Sequence, residues 1–120
     1  MNRTKQLAAA VAASLALAAP ALAGQTASPP LAGSVGPSFT ISLTKDGKAV
    51  KTLKPGSYTI TVKDKASQHN FHLSGPGVDK VVTTVPFVGT KKITVTLKKG
   101  TYKFVCDPHA SSMKGSFKVA

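Results

Sequence analysis

The 120-residue sequence has one Cys, three His, no Trp and no Glu; its four acidic side chains are all Asp, set against 16 Lys and Arg for a formal net charge of +12. A lone Cys excludes an intramolecular disulfide, and three His cannot furnish two separate histidine-rich metal centres. A chain of this length holds one domain and one core, which leaves no room for an enzyme with a cofactor module of its own. Any site is therefore small and built from few side chains.

The first 23 residues read as a targeting segment. Arg3 and Lys5 precede an apolar run from Leu7 to Ala19, and the small-residue terminus Ala21-Leu22-Ala23 follows. This is the layout of a secretory signal peptide cleaved after Ala23. The apolar run is Ala-rich, is ended by Pro20 and falls short of the ~20 residues a spanning helix needs, so stable membrane insertion is not expected. No Cys follows the cleavage position and no twin-Arg pair precedes it, which argues against a lipid anchor and the twin-Arg route. The expected product is a periplasmic or secreted domain.

The mature chain also lacks Arg. Its basic groups are 14 Lys, opposed by Asp46, Asp64, Asp79 and Asp107, a net of +10. Such a field attracts anionic partners, but nucleic-acid readers lean on the bidentate fork of Arg, so nucleic acid is not the expected partner. The Lys residues are spread along alternating positions of the strand-like runs, which equally suits solvated strand faces.

Residues 24–37, rich in Gly, Pro, Ser and Ala, have few large apolar side chains and read as a flexible leader. The domain is expected over residues 38–120. There the apolar period is two: Phe39, Ile41 and Leu43; Tyr58, Ile60 and Val62; Ile93, Val95 and Leu97; Tyr102 and Phe104; Phe117 and Val119. Strict alternation is the signature of half-buried strands. Asp46-Gly47 signals a hairpin turn, and Pro55-Gly56, Gly75-Pro76-Gly77 and Lys99-Gly100 punctuate the remainder. No helical period appears after the targeting segment. Seven to eight short strands with regular turns predict an all-β Greek-key sandwich. Tyr58 and Tyr102 close two similar segments, Leu53 to Tyr58 and Leu97 to Tyr102, each placed for a tyrosine corner of such a fold.

The chemistry is concentrated near the C-terminus, in Cys106-Asp107-Pro108-His109-Ala110-Ser111-Ser112-Met113. A thiolate, an imidazole and a thioether within one loop suit copper better than magnesium or calcium. A second imidazole lies upstream in His69-Asn70-Phe71-His72-Leu73. By strand parity His69 shares the apolar face of Phe71 and Leu73, whereas His72 shares the other face with Asn70. Two His and one Cys with a weak axial Met form the ligand set of a blue-copper electron-transfer site.

On these residues the sequence resembles the cupredoxins, and among them the small plastocyanin-like and amicyanin-like proteins. The resemblance rests on His69-Asn70, on Cys106-x-x-His109 with Pro108 before the His, and on Met113-x-Gly115, and it spans residues 38–120. It implies one copper ion held by His69, Cys106 and His109 as equatorial ligands and Met113 as the axial one. Asn70 would tie the first ligand's segment to the Cys loop. Three residues separate His109 from Met113, between the four of the plastocyanin type and the two of the amicyanin type. Val105 replaces the Tyr of one plant electron route, Asp107 follows the Cys, and Lys replaces the plant acidic patch.

The function implied is that of a soluble, monomeric one-electron carrier outside the cytoplasm, not an enzyme, whose partners are redox proteins with an acidic docking surface. Pro108 and Ala110, with Pro86 and Phe87, are candidates for the docking patch. Two other functions fit the same residues: copper sequestration or delivery by the same ligands, and a metal-free extracellular sandwich that binds through its Lys surface.

Overall fold

The computed structural model describes residues 28–120. The targeting segment, residues 1–23, and the start of the leader lie outside the described residues. No helix among the described residues is long and apolar enough to cross a membrane.

Ten strands are present among the described residues: β1 Pro30–Val35, β2 Ile41–Lys45, β3 Lys48–Ala49, β4 Thr52–Leu53, β5 Gly56–Asp64, β6 Phe71–Gly75, β7 Val78–Thr83, β8 Gly89–Leu97, β9 Gly100–Val105 and β10 Lys114–Val119. They form two five-stranded sheets, ordered β3-β2-β1-β5-β8 and β4-β10-β9-β6-β7. All neighbours are antiparallel except β1 with β5 and β10 with β4. The all-β sandwich expected from the alternating pattern is what the chain forms. It has more strands than expected because β3 and β4, of two residues each, are too short to show a period.

The alternation explains the core. Tyr58, Ile60 and Val62 of β5, Tyr102 and Phe104 of β9, and Phe117 and Val119 of β10 point inward and are buried. Phe71 stacks on Phe104 with centroids 5.7 Å apart, and Tyr102 on Phe117 at 5.4 Å. Both tyrosine corners are present. The Tyr58 hydroxyl donates to the Lys54 carbonyl over 2.7 Å, while that of Tyr102 accepts the Lys98 N–H at 2.9 Å and donates to the Pro76 carbonyl at 2.7 Å. Each phenol thus buries its ring and satisfies its polar tip. At the β2–β3 hairpin, Asp46 and Gly47 both have positive φ, 52° and 76°, the backbone of a two-residue primed turn.

Two expectations are corrected. Residues 30–35 of the supposed leader form β1, hydrogen-bonded on both sides, to β2 and β5, inside the first sheet. Leu31, Gly33 and Val35 alternate with Pro30, Ala32 and Ser34, so small residues hid a strand whose inward face packs closely rather than bulkily. Phe39 is not a core residue: it precedes β2 and is exposed.

The register places the site. Val35, Asp64 and Gly89 lie side by side in the first sheet, and His72, Val105 and Lys114 lie side by side in the second. The connections at residues 36–40, 65–70, 84–88 and 106–113 therefore emerge at one end of the sandwich. The buried side chains of Leu31 and Val35 each supply about 1.5–3 kcal/mol. A chain that starts at Ser38 is expected to lose at least 3 kcal/mol, roughly, on that basis relative to one that starts at Ser28, read as a fall in the urea unfolding midpoint.

Candidate metal centre

Cys106 follows β9 directly and keeps an extended backbone, φ −94° and ψ 113°. It therefore continues the inward set of Tyr102 and Phe104, and it is free and fully buried. Pro108 then starts a single 3₁₀ turn, Asp107–His109. Side chains three apart eclipse in such a turn, and the His109 N–H donates to the Cys106 carbonyl at 3.0 Å. As a result, His109 Nδ1 sits 3.6 Å from Cys106 Sγ.

The turn is closed by further backbone bonds. The Met113 N–H donates to the His109 carbonyl at 2.8 Å, and the Cys106 N–H donates to the Met113 carbonyl at 3.0 Å. Met113 is thereby carried back beside Cys106 and buried. The three-residue spacing is the length that this closed turn requires.

His69 comes from the crossover between β5 and β6. Its N–H donates to the Ala66 carbonyl at 3.3 Å, and the Ala66 N–H in turn donates to Asp64 Oδ1 at 3.2 Å. His69 is 1% exposed, with Nδ1 3.6 Å from Cys106 Sγ. One donor atom from each of His69, Cys106 and His109 lies within 4.8 Å of the other two. Two bonds of about 2.0 Å to nitrogen and 2.3 Å to sulfur span a 3.6 Å separation at an angle of roughly 115°, the opening of a trigonal or tetrahedral centre. Imidazole with thiolate is the donor set that copper prefers over hard cations.

Asn70 is buried beside His69 and makes two bonds to the residue after the Cys. Its Nδ2 donates to Asp107 Oδ2 at 2.8 Å, and its Oδ1 accepts the Asp107 N–H at 2.7 Å. Strand parity does not hold across this pair: His69 and Asn70 are consecutive and both buried, because β6 starts only at Phe71. His72 is a rim residue outside the centre, as its parity implies. Its ring bridges two carboxylates, Nδ1 lying 3.0 Å from Asp107 and Nε2 contacting Asp79.

These contacts set the charges. The Asp79 hydrogen bond, opposed by partial burial and helped by Asp107, raises His72 above the ordinary 6.5. Desolvation pushes Asp107 up, but the hydrogen bonds from Asn70 and His72 outweigh it and hold the carboxyl below 3.8. The Asp79 contact had no local sequence signal, because only the β6–β7 hairpin brings residues 72 and 79 together. Phe39 was also missed as a site residue. Its ring meets His109 edge to face with centroids 4.9 Å apart and His69 at 5.6 Å.

The family of copper binding proteins of the plastocyanin/azurin type matches residues 42–120. The chain belongs to that family. No curated protein matches this cupredoxin. Among solved structures it is similar to the copper protein rusticyanin, with a TM-score of 0.58 and 20% identity over 80% of each chain. Auracyanin A, a blue copper protein from the green thermophilic photosynthetic bacterium Chloroflexus aurantiacus, gives 0.56 and 17%, covering 78% of this chain and all of that one. A chain of a heme-copper terminal oxidase dimer gives 0.54 and 18% over 76% of this chain; the cupredoxin spans 63% of that chain's length. At these identities the likeness shows the fold. Cupredoxins generally carry electrons and are not enzymes, and copper fits the His69, Cys106 and His109 cluster beside Met113.

The His72 bridge makes a testable contribution. A raised imidazole pKa stabilises the fold fully below the unfolded value of 6.5, and this stability is lost as the pH rises through the raised value. A lowered carboxyl pKa stabilises above 3.8 and loses its effect on acidification through the lowered value. His72→Gln is therefore expected to cost about 0.5–1 kcal/mol, as partly exposed pairs do, between the two reference values, and progressively less at alkaline pH. Urea unfolding of both proteins across that range checks it.

Proposed function

We propose that this cupredoxin is an exported blue-copper protein that carries single electrons between redox proteins. His69, Cys106 and His109 would hold the copper ion, with Met113 as a further sulfur donor beside them. The observation that carries this reading is the convergence of three donors from two chain segments on one buried point. Copper, when bound there, supplies a one-electron couple between Cu(I) and Cu(II).

The protein's own part is to hold the donors still. Cys106 is anchored by β9, His109 by the closed turn, and His69 by the crossover that Asn70 ties to Asp107. Burial of His69, Cys106 and Met113 keeps water away from the donors. Ligands held this rigidly change little between charge states, which keeps reorganisation small.

A carrier must also meet its partners briefly. Phe39, Val85 and Val88 are large apolar side chains exposed at the metal end, with Pro86, Pro108 and Ala110 exposed beside them and Phe87 half-buried. This apolar rim suits a small transient interface, and the Lys surface steers it towards an acidic redox partner. The targeting segment of residues 1–23 supports export to the periplasm or beyond the cell, where the carrier acts as a monomer.

The Cu(II) form is expected to show an intense thiolate-to-copper visible band that disappears in Cys106→Ser, with a fast reversible one-electron couple. Absence of the band in the parent protein, or its survival in the variant, overturns the reading. Rapid copper loss to a chelator combined with a sluggish couple would instead mark a copper delivery protein.

A further inference from the structure

Among the described residues Phe39 is the most exposed large apolar side chain, at 62%, yet it is not loosely placed. It sits on the β1–β2 connection, which is cinched by the Gly36 N–H donating to the Thr40 carbonyl at 2.9 Å and the Thr40 N–H donating to the Ser38 carbonyl at 2.8 Å. The connection lies directly on His69. Gly36 has φ 73°, and a Cβ there would come within 3.0 Å of His69 Cδ2, so a side chain at this position would push the ligand ring or lift the loop.

Phe39, His69 and His109 form a closed set of three rings, each edge to face with the other two. The Phe39 ring makes angles of 85° with His109 and 67° with His69, and the two imidazoles lie 5.0 Å apart at 73°. All three separations fall in the range where aromatic pairs attract beyond their buried area. Metal-binding imidazoles are ordinarily fixed by a hydrogen bond from the second ring nitrogen. Among the described residues, the hydrogen-bonding contacts of both rings are to Cys106 Sγ, through Nδ1. The outer nitrogens have no protein partner, and the orientation of both rings must come from packing.

We propose that Phe39 is the positioning residue for both imidazoles: its ring sets their planes and closes the metal position to water and small anions. The proposal rests on the copper reading of the centre and adds a residue from outside the four-donor set. It also gives the placement of an exposed apolar ring a physical reason, because that ring packs edge to face on both imidazoles.

The test compares the parent protein with Phe39→Ala, Phe39→Leu and Phe39→Tyr. Because the side chain is exposed, all three variants are expected to fold, with Phe39→Ala melting several degrees below the parent for the loss of two ring contacts. In the Cu(II) forms, azide is titrated and followed in the visible spectrum. In the Cu(I) forms, release to a chelator is timed. Phe39→Ala is expected to bind azide about tenfold more tightly and to release copper about tenfold faster, a change of about 1.4 kcal/mol that two edge-to-face contacts can supply. Phe39→Tyr restores both values, and Phe39→Leu, which keeps the cover but loses the aromatic edge, falls between. In the metal-free proteins, the ring-proton resonances of His69 and His109 shift in both Phe39→Leu and Phe39→Ala, which lose the ring current, but broaden in Phe39→Ala only.

An alanine variant that matches the parent in azide affinity, copper release and imidazole line widths overturns the proposal. If the parent lacks the thiolate band, the copper reading fails, and the metal-free resonances still decide whether Phe39 orients the rings.

Discussion

The centre depends on one buried amide. Asn70 grips the backbone N–H and the carboxylate of Asp107 with its two polar atoms, and those residues immediately follow His69 and Cys106. The donors would otherwise belong to separate connections, the 65–70 crossover between sheets and the 106–113 turn within one sheet. Two short, part-buried bonds lock them to a common frame. Removing the Asp107 carboxylate would leave the buried Asn70 amide short of a partner, the costly case for a hydrogen bond. His72 extends the same chain outward by holding Asp107 from the solvent side and linking it to Asp79.

Around this frame the end of the sandwich divides into two kinds of surface. The donors His69 and Cys106 are inside, shielded by the packed sheets, while His109 reaches the boundary and Phe39 lies over it. A carrier needs both properties: a centre too enclosed to exchange ligands, and a short distance from that centre to a partner. The charge is arranged differently. Of the four Asp residues, Asp64 is buried and Asp107 is engaged by His72 and Asn70, so the Lys field meets little exposed opposition. Steering of this kind acts on encounter rates and leaves the fold alone.

Much of this was legible from local pattern. Period-two alternation gave the inward faces of β5, β8, β9 and β10, because a strand that is buried on one side must alternate. The same rule failed where its premise failed. Phe39 looked like the start of an alternating run, but it lies before β2 in a cinched loop, and its neighbours there are imidazoles. Residues 30–35 looked like a leader because Ala32, Gly33 and Ser34 are small, yet Gly33 lies against Val62 and Phe71 in a spot where a Cβ would come within 2.9 Å of Val62. Composition measures bulk, and here the packing demands its absence.

The sequence by itself determined the fold class and which residues are candidate donors, since alternation and the lone Cys with its nearby His and Met are local facts of order and chemistry. It also set the turn that joins Cys106 to His109, because Pro108 and the two-residue gap between them act within one loop. Only the tertiary structure decided that Phe39 meets both imidazoles, that Asp79 reaches His72, and that β1 belongs inside the first sheet. Each of these joins residues far apart in the chain or on different strands, and such contacts are fixed by register and packing, which no single segment contains.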